Sequence, residues 1–95
     1  VVIEIVKAKI LEDLSEGNYR FTIHAFERMR DRKLTDVDIS NISNTCQEFM
    51  NLKDGTYRVT GHRLNGNGIS VICKIESNTV IITVMKRRIK GGKKK

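Results

Sequence analysis

The segment Thr22-Ile23-His24-Ala25-Phe26-Glu27-Arg28-Met29-Arg30-Asp31-Arg32 holds the chain's densest set of groups able to do chemistry. On a helix, His24, Arg28 and Arg32 stand four residues apart and form one stripe. Neighbouring cations in such a stripe repel each other by roughly a few tenths of a kcal/mol when exposed, so helix stability alone does not select them. Glu27 and Asp31, on adjacent rows, offset part of that repulsion. The pattern suits a phosphate, because arginine can donate two parallel hydrogen bonds to it. Histidine adds a group that takes or gives a proton near neutral pH. The competing reading is a solvated helix face with its histidine near the cap.

His62, the other histidine, follows Gly61 in an extended stretch with Arg58 four residues before it. Period-two alternation puts Arg58, Thr60, His62, Ser70, Lys74, Glu76, Thr83 and Arg87 on one sheet face, mixed with Ile72, Ile81 and Met85. That face is cationic and hydroxyl-bearing, though an antiparallel sheet also commonly leaves one face to solvent. Cys46 and Cys73 lack metal-ligand spacing with each other or with the histidines, so two reduced buried thiols are expected and no structural zinc. No GxxxxGK[ST] is present, and Gly66-Asn67-Gly68 lacks the third glycine and following helix of a dinucleotide fingerprint. No serine stands in a nucleophile elbow. ATP chemistry, hydride transfer and serine hydrolysis therefore have no support, and no cofactor is expected.

The elements that must position these residues follow from the hydropathy period. Ile3, Val6, Ile10 and Leu14 recur at helical spacing with Glu4, Lys7, Lys9 and Asp13 opposite, predicting a helix over 2–16 that stops at Gly17-Asn18. Tyr19-Arg20-Phe21 reads as short and extended. Thr22 can cap a second helix to about Lys33, with Ala25 and Met29 as its apolar side. Thr35 caps a third, with Asp36 and Asp38 near its positive end and Val37, Ile39, Ile42 and Cys46 giving an apolar face. From there the period is two. Strands are expected over 49–52, 56–64, 69–76 and 79–87, joined at Asp54-Gly55, Asn65-Gly66-Asn67-Gly68 and Ser77-Asn78. The row Tyr57, Val59, Ile69, Val71, Cys73, Ile75, Val80, Ile82, Val84 should meet the helices. The fold class is α+β, with N-terminal helices on one face of a three- or four-stranded antiparallel meander.

The 95 residues suit one domain, and a composition 39% apolar and 31% charged is that of a globular chain. We expect a compact unit over 1–87 and a basic flexible tail over 88–95. Of 18 Lys and Arg against 11 Asp and Glu, seven cations lie in the last ten residues, so residues 1–85 are neutral. The net charge of +7 is thus a property of one end, either a polyanion contact or a solubilising tail. No apolar run approaches the roughly 20 residues of a membrane span, and the first residues lack the features of a secretion signal. A cytoplasmic location without membrane association is the expectation.

Residues 20–35, Arg-Phe-Thr-Ile-His-Ala-Phe-Glu-Arg-Met-Arg-Asp-Arg-Lys-Leu-Thr, resemble the signature of the DUF4258 family. Its pattern is a Ser/Thr before His-Ala, then Glu-Arg-Met, a further Arg, and a Ser/Thr opening the next helix. Tyr57-Arg58-Val59-Thr60-Gly61 and Val80-Ile81-Ile82-Thr83-Val84 resemble it more weakly, and Lys33 stands where the family often has glycine. The resemblance implies a relation to the RelE/MqsR-like small toxins of bacterial toxin–antitoxin modules, with a RelE-like fold and RNA cleavage without a metal. It carries over His24 as acid/base and Arg28 and Arg32 as phosphate contacts. Lys86, at the end of the last strand, is a further candidate for the reaction, and Arg58, His62, Lys74, Arg87 and Arg88 for holding RNA. The implied activity is an mRNA interferase-like endoribonuclease acting on RNA, ribosome-bound mRNA included, with a cognate antitoxin protein as partner. The alternative is a non-catalytic module for nucleic acid or an acidic protein.

Overall fold

The structure is a computed structural model, and it describes residues 3–86. Three α-helices, α1 (Ile3–Glu16), α2 (Ile23–Asp31) and α3 (Asp36–Asn44), are accompanied by five strands: β1 (Tyr19–Phe21), β2 (Glu48–Asn51), β3 (Thr56–His62), β4 (Gly68–Ile75) and β5 (Thr79–Lys86). The strands form one mixed sheet in the order β1-β5-β4-β3-β2. The α+β class and the three helices are as expected, but the sheet is not a three- or four-stranded antiparallel meander. Tyr19–Phe21, expected as extended but not counted among the strands, joins the sheet and pairs in parallel with Thr79–Ile81. Three residues are too few to display a hydropathy period, and the partner lies some sixty residues away. The boundary at 87 falls outside the described residues, as do Arg87, Arg88 and the rest of the tail.

The helix caps form as the sequence dictates. Thr22 accepts from the Ala25 amide at 3.1 Å. Thr35 makes a reciprocal capping box with Asp38. Each satisfies an amide that a helix start leaves without an intrahelical partner. Asp54 and Gly55, with φ of 63° and 72°, make the left-handed turn between β2 and β3, the geometry for which Asp-Gly is suited.

All three helices cover the same sheet face. Ile10 and Leu14 of α1, Ala25 and Met29 of α2, Leu34, and Ile39 and Ile42 of α3 join Val59, Ile69, Val71, Cys73, Ile81 and Val84 in one core. The expected apolar row is right on β3 and on β4 as far as Cys73, while Ile75 is exposed. On β5 it is right at Val84 and wrong at Val80 and Ile82. A bulge between Ile72 and Cys73 leaves Val71 opposite Val84 but Cys73 opposite Ile81. The extra residue shifts the alternation, so Ile81 and Thr79 face the helices where Ile82 and Val80 were expected. Two more expectations fail. Val37 is exposed, 58%, rather than part of the apolar face of α3. Asp13 is buried, accepting from the Thr79 amide at 3.1 Å and hydroxyl at 2.9 Å, with Lys9 at 3.3 Å. A buried carboxylate so supplied with donors ties α1 to β5, and nothing in the period of α1 separates it from a solvated acid.

Candidate functional site

The short helix α2 carries the groups of interest, and two anchors place it. At its start the Thr22 amide donates to Ile81 O at 3.0 Å, and its hydroxyl to Ile82 O at 2.8 Å. Ala25 and Met29 then press its apolar side into the core. At its end Leu34 N donates to Met29 O and Lys33 N to Arg30 O, with Lys33 left-handed at φ 56°. This closure normally favours glycine, and here a lysine adopts it.

On this frame His24 and Arg28 are both exposed and lie together, Arg28 Nε donating to His24 Nε2 at 3.5 Å. That contact requires a histidine with an unprotonated Nε2. Arg32 is half-buried, and its Nε is shut from solvent without a hydrogen-bond partner among the described residues. Glu27 and Asp31 offset less than expected. Asp31 turns to Arg30 at 4.0 Å, and neither Arg28 nor Arg32 has a carboxylate partner among the described residues. Two unneutralised guanidinium groups on one side of a helix make a site that favours an anion.

The other expected residues divide between the two faces of the sheet. Lys86 pairs with the core residue Ile69, which puts it on the face that the helices cover. Arg58, Thr60 and His62 alternate with Val59 and Gly61 and so belong to the opposite face, as does Lys74, paired with Val80 and Thr56. The cations on that face have acidic partners. Arg58 reaches Glu48 at 3.3 Å, while Lys74 at 3.0 Å and Arg20 at 2.8 Å share Glu76. Those two cations hold the Glu76 carboxyl below its ordinary range. Thr60 and Ser70, expected as exposed hydroxyls, are buried and bonded to each other at 2.7 Å. The main chain of His62 is held by Asn41 and Thr45. The expected cationic sheet face is therefore far less free to take an anion than α2. Placement of the RNA-holding set next to His24 is not what the strand pairing gives.

Elsewhere the chemistry is muted. Burial pushes the Cys73 thiol up to about 12 and raises that of Cys46, so neither favours a thiolate. Among the described residues no group of three His, Cys, Asp or Glu side chains could hold a metal ion, and no helix is long and apolar enough to cross a membrane. An open depression of about 530 Å3 between α1, β1 and α3 is lined by Tyr19, Phe21, Asp36 and their neighbours and by none of the expected site residues. There the Tyr19 hydroxyl donates to Asp36 at 2.9 Å. Burial, then that bond, raise its pKa well above the ordinary value.

Sequence reasoning missed Arg63 and the second role of Asp38. Arg63 donates to Arg32 O at 3.1 Å, to Lys33 O at 3.0 Å and to Asp38 at 3.4 Å. Asp38 also accepts from Leu64 N at 2.9 Å. Burial works to raise the Asp38 pKa, but the Leu64 and Thr35 amides and the Arg63 charge outweigh it and hold it below its ordinary value. The capping box announced Asp38 in the sequence; nothing announced Arg63.

The segment from Phe21 through β5, which contains α2 and both its anchors, matches a family model over residues 21–86, described as a domain of unknown function, DUF4258. The chain belongs to DUF4258. The match leaves α1 and most of β1 outside and takes in α2, α3 and the strands β2 to β5. Neither a curated protein nor a solved structure matches the chain.

Proposed function

We propose that this DUF4258 protein is an endoribonuclease of toxin–antitoxin type that cleaves the RNA backbone without a metal. The observation that carries the reading is the stripe on α2, where His24 touches Arg28 and neither Arg28 nor Arg32 has an acidic partner among the described residues. In the reaction His24 Nε2 takes the proton of a ribose 2′-hydroxyl. The 2′-oxygen bonds to the adjacent phosphorus, and the bond to the 5′-oxygen breaks, leaving a 2′,3′-cyclic phosphate. Arg28 and Arg32 stabilise the charge that gathers on the phosphorane. Lys86, on the helix-covered side, protonates the departing oxygen. Arg28 has a double use in this scheme, since a phosphate that draws its guanidinium away frees the Nε2 lone pair of His24. The RelE/MqsR-like resemblance supports the same chemistry and a cognate antitoxin protein as partner, with RNA in the cytoplasm as substrate.

A second reading is favoured by one specific feature. No carboxylate is bonded to the His24 ring among the described residues, whereas a catalytic imidazole is usually oriented by a third group. In that case the stripe only docks a phosphate backbone. Expression of wild type and His24→Ala under tight induction separates the two. Growth arrest with loss of RNA integrity in the wild type alone supports the nuclease. Arrest by neither, with both proteins folded, overturns it, and salt-dependent RNA binding that survives His24→Ala then supports the docking module.

A further inference from the structure

We propose that Arg63 is a positioning residue for the anion site on α2, an inference that rests on the phosphate reading above. The last carbonyls of an α-helix have no partners within it, and a cation there also complements the dipole. Just past α2, the carbonyls of its C-cap residue Arg32 and of Lys33 accept from the two ends of the Arg63 guanidinium, at 3.1 and 3.0 Å. The left-handed Lys33 turns the chain at this point, and a planar fork from another element reaches both carbonyls. A lysine, a single nitrogen on a flexible stem, lacks that rigid fork.

Asp38 fixes the fork in turn. Its carboxylate accepts from Arg63, from the Leu64 amide and from the Thr35 amide at 3.1 Å, so its own place is set by the start of α3. A continuous run of contacts therefore joins the first turn of α3, through Asp38 and Arg63, to the last turn of α2. The charge of Arg63 is balanced within this run. That of Arg32 is not, and its half-buried side chain leaves the very turn that Arg63 clamps. Arg63 is thus the holder and Arg32 the group held.

The test uses the full chain and a short single-stranded oligoribonucleotide, with affinity read by anisotropy and the Arg32 Nε–H resonance read by NMR. Arg63→Gln and Arg63→Lys should each weaken binding about tenfold, while Arg63→Gln on an Arg32→Ala background should change it by less than about twofold. The Arg32 resonance should shift in both single variants. Rescue by Arg63→Lys, or full additivity with Arg32→Ala, overturns the proposal, because charge alone or an independent contact then explains the effect. If Arg63→Gln does not fold, Asp38→Asn, which loosens the fork without removing it, should give the same non-additive loss; an Asp38→Asn protein with unaltered affinity and resonance overturns it. Should Arg32→Ala leave RNA affinity unchanged, the phosphate reading fails by itself, and the Arg32 resonance still decides whether Arg63 positions that side chain.

Discussion

The Thr22 hydroxyl donates to the Ile82 carbonyl at 2.8 Å, fastening the first turn of α2 to the strand position where β5 departs from regular pairing. The same oxygen accepts from the Ala25 amide. One side chain thus both opens the helix and moors it. His24 follows two residues later, so its place on the surface depends on a bond whose other end is an irregularity in the sheet.

Thr22→Ala removes both bonds at once. Loss of a cap typically costs about 1 kcal/mol, and an unsatisfied part-buried carbonyl adds about another. We expect destabilisation of about 1–2 kcal/mol in urea unfolding, with Thr22→Ser recovering most of it. A Thr22→Ala protein as stable as wild type would show that α2 is held by Ala25 and Met29 alone.

Lys33→Gly should be stabilising. A side chain in the left-handed region costs about 1–2 kcal/mol, which glycine avoids at the expense of greater freedom in the unfolded chain. The net expectation is a gain of about 0.5–1 kcal/mol, measured as a higher urea midpoint with unchanged slope.

Gly61→Ala should have the opposite effect. A Cβ built at Gly61 meets the backbone oxygen of Ile42 at 2.5 Å and the Thr45 hydroxyl at 3.0 Å. The obstruction is helix backbone, not the end of a flexible side chain, so α3 must move off β3. Overpacking of this kind costs about 1–3 kcal/mol. The urea midpoint should fall accordingly, and the Asn41 bond to the His62 carbonyl should weaken with it.

The lowered Asp38 pKa sets a pH dependence. A carboxyl held below its unfolded value of 3.8 contributes stability in full above that value and loses it as pH falls through the folded value. Stability should therefore decline on acidification below about pH 4. Asp38→Asn should be less stable at neutral pH and show a shallower acid decline. Parallel acid limbs for the two proteins would assign the decline to other carboxyls, Glu76 among them, whose pKa is also lowered.

Much of this molecule was legible along the chain because it is local. Thr22 and Thr35 announce helix starts within a single turn, and Asp54-Gly55 announces a hairpin within four residues. The rows on β3 and β4 follow from a period of two. What escaped is non-local. The parallel strand β1 has no pattern of its own, the bulge in β5 reverses which isoleucine is inside, and Asp13 is buried by Thr79 from the far end of the chain. The site divides in the same way. The stripe of His24, Arg28 and Arg32 is a helical spacing and was readable. That Arg58 and Lys74 are paired with acids on the other side of the sheet, and that Arg63 clamps the end of α2, depends on which distant residues become neighbours.

The pairing of β1 with β5 also fixes an order of events. Thr22 and Ile82 are separated by 60 positions, and the parallel pair Tyr19–Phe21 with Thr79–Ile81 spans a similar interval. Contacts of such separation close late, since the whole intervening loop must be ordered for them to form. A growing chain that has not yet reached residue 82 lacks both moorings for the start of α2. Although His24 is made early in synthesis, the stripe it heads becomes a defined surface only when the last strand arrives, so an incomplete chain carries the residues of the site without the site.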